Sequence, residues 1–99
     1  MTLITPLTGK MLIGADAVAG TDGGQRAFNP ATNTEIAEPH FGFGTPGDVD
    51  RAARLAAAAF DEYRALPLAR RADFLEAIAD QIMALGDALL ERAHAETGL

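Results

Sequence analysis

The sequence predicts an α+β fold, with a β-hairpin and an edge strand first and three α-helices after them. Three observations carry that expectation. Most of the glycine and proline lies before Thr45, around short apolar runs. From Thr45 onward, apolar residues recur with a period near 3.6, the signature of an amphipathic helix. Capping and turn residues stand where one pattern gives way to the next. Residues 1–44 therefore read as a hairpin and edge-strand segment and residues 45–99 as a helical segment, together one partial domain.

In the first segment the runs Met11-Leu12-Ile13, Ala27-Phe28 and Ile36-Ala37 are bounded by turn residues and read as short strands. Asp22-Gly23-Gly24 is expected to reverse the chain between the first two runs, since glycine takes positive φ without steric cost. Asn29-Pro30-Ala31-Thr32-Asn33-Thr34 reads as a second turn, with Pro30 fixing φ and Asn33 suited to the left-handed region. Pro39 has no N–H to give to a ladder, so the strand holding it belongs at an edge or ends early.

The first helix is expected to start at a Thr45 cap, with Pro46 in its first turn and Asp48 three residues after the cap, and to run to about Tyr63. Val49, Ala53, Ala56, Ala57 and Phe60 share one face. A second helix opens near Pro67 and Leu68, carries the stripe Phe74, Leu75, Ile78, Ile82 and Leu85, and ends at Gly86. Asp87 is expected to cap a third, which presents Leu89, Leu90 and Ala93 and stops at Gly98.

At 99 residues the chain is one small domain or part of a larger one. Its hydrophobic fraction is 48%, but much of that is alanine, which buries little area per residue. A net charge of −6 repels phosphate backbones and anionic lipid, which argues against nucleic acid as a partner. No apolar stretch reaches the ~18 residues of a membrane span. Ala17-Val18-Ala19 has the small-x-small form of a signal cleavage site, but Pro6, Gly9 and Lys10 break the apolar run and no basic segment precedes it. A cytoplasmic protein is the expectation, and the absence of cysteine agrees with it.

With neither cysteine nor serine, these residues hold no thiol- or serine-based catalytic site. Gly42-Phe43-Gly44-Thr45-Pro46-Gly47 satisfies G-x-G-x-x-G, with Asp61 and Glu62 near the acidic position of a dinucleotide fingerprint. The context argues for a turn instead. Pro46 removes a donor, Asp48 places a like charge where a pyrophosphate would sit, and the two acids end a helix rather than a second strand. Lys10, Tyr63, His40 and His94 have no activating partner nearby in sequence. Asp73, Glu76 and Asp80 fall on one helix face, which reads as solvated rather than as a cation site. Arg70 and Arg71 could pair locally or bind an anion, and their side chains also pack well along helices.

The order of a short hairpin, Asn29-Pro30-Ala31-Thr32, an edge strand, Asp48-Val49-Asp50-Arg51-Ala52-Ala53, an Ala-rich turn ending in Phe60, Arg70-Arg71-Ala72 and Glu96-Thr97-Gly98 resembles the N-terminal segment of aldehyde dehydrogenases, from about Lys10 to Leu99. Arg71-Ala72-Asp73-Phe74-Leu75-Glu76-Ala77-Ile78-Ala79, Gly86-Asp87-Ala88-Leu89 and Ala95-Glu96-Thr97-Gly98-Leu99 look most like the branch oxidising α-ketoglutaric semialdehyde, also called 2,5-dioxovalerate. Asn33 stands where that family usually has glycine, a replacement the left-handed region tolerates.

The resemblance implies an incomplete part of an α/β, Rossmann-like cofactor domain. It also implies a parent enzyme that oxidises an aldehyde with NAD or NADP and assembles as a homo-oligomer. In that family a cysteine thiolate attacks the aldehyde, hydride passes to the nicotinamide, and a glutamate-activated water releases the acid. All of those residues, and those that hold the cofactor, are expected beyond Leu99, so no catalytic, cofactor-binding or metal residue is assigned here and no cofactor is expected on this chain. A structural cation held by backbone carbonyls in some members would map to Ala27 and Phe28, where the remaining ligands are missing. The chain is thus expected to be a truncated or partial dehydrogenase whose partner is the rest of its parent. The alternative is a small acidic helical module that binds a protein through its Ala- and Leu-rich faces.

Overall fold

The computed structural model describes residues 7–99; Pro6 lies outside them. Among the described residues, four strands and three helices follow in the order β1 (Met11–Ile13), β2 (Asp16–Val18), β3 (Gly24–Asn29), β4 (Thr34–Gly42), α1 (Pro46–Arg64), α2 (Leu68–Ala84) and α3 (Asp87–Thr97). The architecture is α+β, built on two antiparallel two-stranded sheets.

The first hairpin turns earlier than the sequence suggests. Strand β1 pairs with β2, Met11 opposite Val18 and Ile13 opposite Asp16. Gly14 takes a φ of +61° at the turn between them, where a side chain would be strained. The expectation that Asp22-Gly23-Gly24 joins the runs at 11–13 and 27–28 is therefore corrected. That segment instead carries the chain from one sheet to the other, held by Asp22 N–H donating to Phe43 O at 3.1 Å and Phe43 N–H donating to Gly23 O at 2.9 Å. Both glycine sites can turn a chain, and the nearer one closes the smaller loop.

The Asn-Pro turn forms where expected and joins β3 to β4. Asn29 Oδ1 accepts from Ala31 N–H at 2.9 Å and Thr32 N–H at 3.3 Å, and Asn33 adopts a φ of 59°. Strand β4 has a free edge in its two-stranded sheet, the placement Pro39 calls for, and it continues past Pro39 to Gly42. The ladder is irregular there: Arg26 pairs with His40 and Phe28 with Glu35, so residues 36–39 bulge opposite Ala27. Pro39 falls in the bulge, where no ladder donor is demanded of it. Arg26 Nε donates to Ala37 O at 2.9 Å in the same stretch.

Helix α1 starts as its capping residues dictate. Asp48 N–H donates to Thr45 Oγ1 at 3.1 Å and Thr45 N–H to Asp48 Oδ2 at 2.9 Å, a reciprocal capping box. Helix α2 ends at Ala84, with Gly86 just beyond it at a φ of 57°. The cap of α3 is Gly86 rather than Asp87, the residue the sequence points to, and Asp87 is the first helical residue. The backbone at Gly86, with φ 57° and ψ −136°, suits glycine alone, so the helix begins one residue later and Asp87 faces the positive end of its dipole. Gly98 closes α3 in the left-handed conformation.

Helix α1 rests on β1 and α3 on β3, while α2 packs broadly on neither sheet. Tyr63 meets Phe74 edge-on, ring centroids 5.7 Å apart, and so ties α1 to α2. The core is small. Among the described residues Ile13 is 5% exposed and Pro39 is buried, but none of the three helices buries a residue. The accessible surface is 7865 Å², against ~5400 Å² for a compact monomer of this size. The radius of gyration, 16.8 Å, likewise exceeds the ~13 Å of a compact 100-residue domain.

Candidate functional site

The glycine turn at residues 42–47 is shaped by backbone contact. A Cβ built on Gly42 would collide with the backbone of Gly20, and one on Gly20 with that of Gly42. The two glycines let the inter-sheet segment cross the end of β4. Gly44 differs, meeting only side chains, with Met11 Sδ 3.1 Å from where its Cβ would lie.

These residues do not fit a dinucleotide. At the start of α1, the Asp48 carboxylate already holds the Thr45 N–H, and Pro46 offers no donor. A pyrophosphate would meet this carboxylate at the position where it needs positive charge. Asp61 and Glu62 lie in the last turn of α1, where Asp61 pairs with Arg64 at 2.8 Å.

The other sequence candidates stay apart. His40 lies on exposed β4 beside the open side of Gly24, while His94 Nδ1 contacts Leu99 O near the end of α3. Lys10 precedes β1, and Tyr63 is engaged with Phe74. Asp73, Glu76 and Asp80 are exposed along α2. Arg70 lines a shallow notch with Tyr63, Leu66, Asp73 and Phe74, and the half-buried Arg71 has an Nε without a hydrogen-bond partner. Among the described residues no group of three or more His, Cys, Asp or Glu side chains is placed to hold a metal ion. No helix among them is long and apolar enough to cross a membrane.

Arg92 was not singled out by the sequence. Its Nε pairs with Glu96 at 2.6 Å, its Nη1 donates to Glu38 O at 2.9 Å, and its guanidinium lies 5.9 Å from the Phe41 ring centroid. It pins α3 to the bulged strand. The i,i+4 pairing with Glu96 is visible in sequence, but the reach to Glu38 is not.

These residues are joined by capping, ion-pair and packing contacts. Comparison with known proteins gives the class. The model of the aldehyde dehydrogenase family matches residues 18–99, and the chain belongs to that family. It is 66% identical over 93 residues, 94% of the chain, to alpha-ketoglutaric semialdehyde dehydrogenase 2 of Azospirillum brasilense. It is 40% identical over 91 residues, 92% of the chain, to alpha-ketoglutaric semialdehyde dehydrogenase of Acinetobacter baylyi. The chain spans 18% and 17% of the length of these curated relatives. No solved structure matches it significantly.

Proposed function

We propose that this chain is the N-terminal scaffold of an NAD(P)-dependent aldehyde dehydrogenase, supplying outer strands and helices to an α/β, Rossmann-like cofactor domain. Residues 1–44 and 45–99 together form one part of that domain. The enzyme's reaction is the oxidation of α-ketoglutaric semialdehyde to 2-oxoglutarate, with NAD or NADP as hydride acceptor. The 66% identity across 94% of the chain to a protein named for that substrate carries this reading.

The exposed helix faces support the scaffold role. Phe60, Phe74, Ile82 and Leu85 are each about half exposed or more, which is costly for a finished domain and ordinary for a surface that packs on the rest of an enzyme. On this reading the 99 residues contribute no catalytic, cofactor-binding or metal-ligating group. Their partner is the remainder of the dehydrogenase, within a cytoplasmic homo-oligomer.

The test is an assay of the full-length dehydrogenase that carries this sequence. Reduction of NAD or NADP should proceed with α-ketoglutaric semialdehyde at a kcat/KM at least ~10-fold above that with propanal, because a site built for the substrate's keto acid leaves polar groups unpaired with propanal. Absence of turnover with every aldehyde would overturn the family transfer, and a preference for propanal would overturn the substrate.

A further inference from the structure

No further inference is drawn: the strongest candidate, the open apolar groove along α2 lined by Phe74, Ala77, Ile78, Ile82 and Leu85, is an unpartnered helix face, and nothing in the structure shows what covers it beyond the scaffold reading already given.

Discussion

Gly20 and Gly42 approach so closely that neither position has room for a Cβ, each glycine's missing side chain being occupied by the other's backbone. Gly42→Ala should therefore force the inter-sheet segment away from β4 at a cost of about 1–3 kcal/mol. Gly47→Ala makes the opposite prediction, because its new Cβ meets only Thr45 Oγ1 at 3.6 Å, within the first turn of α1. That change should stabilise the helix by up to about 1 kcal/mol. Thermal unfolding of the two variants in the full-length dehydrogenase checks the sign of each, and equal midpoints would refute the crossing contact.

The capping box at Thr45 and Asp48 sets where α1 begins. Thr45→Ala should cost about 1 kcal/mol and speed amide exchange in the first turn of α1 by roughly 5-fold, with Thr45→Ser close to the parent. Exchange that is unchanged in the alanine variant would show that packing alone fixes the helix start.

Arg92 ties α3 to β4 by one hydrogen bond, to Glu38 O, and a ring contact with Phe41, while its pair with Glu96 stays within α3; its side chain is only 20% exposed. Arg92→Met keeps the stem but leaves Glu38 O without this donor, and should cost about 1–2 kcal/mol. Glu96→Gln, on a side chain 41% exposed, should cost less than about 1 kcal/mol. Hydrogen exchange along α3 separates the two: the methionine variant should open faster, and a reversed order would make the ion pair the true anchor.

The exposed apolar stripe of α2 should make the isolated chain associate. Phe74 is 52% and Ile78 is 42% exposed, so glutamate at both positions should reduce light scattering while circular dichroism still reports the helices. Undiminished scattering would place the sticky surface elsewhere. A sharp, reversible melting transition of the monomeric 99-residue chain would contradict the scaffold reading outright, since it would show that the exposed stripes need no cover.

The helices were legible because their signals are local. Thr45, Pro46 and Asp48 lie within one turn of each other, and Gly98 stops α3 by its own backbone conformation. The sheets were less so. A three-residue strand carries little pattern, and both Gly14 and the Gly23-Gly24 pair can reverse the chain, so which runs pair depends on contacts remote in sequence. The bulge opposite Ala27 that accommodates Pro39 and the Gly20–Gly42 crossing are of that kind. Pro46 and Asp48, the residues that speak against a dinucleotide loop, stand in plain view in the sequence, whereas the reach of Arg92 to Glu38 depends on how α3 lies on the β3–β4 hairpin.

On the proposed scaffold role these residues support a reaction they do not perform. Titrating NAD and NADP separately into the 99-residue chain in a calorimeter, with α-ketoglutaric semialdehyde added at the end and NAD(P)H formation followed, tests it most directly. Neither saturable heat nor reduced cofactor above the buffer control is expected. Saturable binding of either cofactor, or measurable turnover, would contradict it.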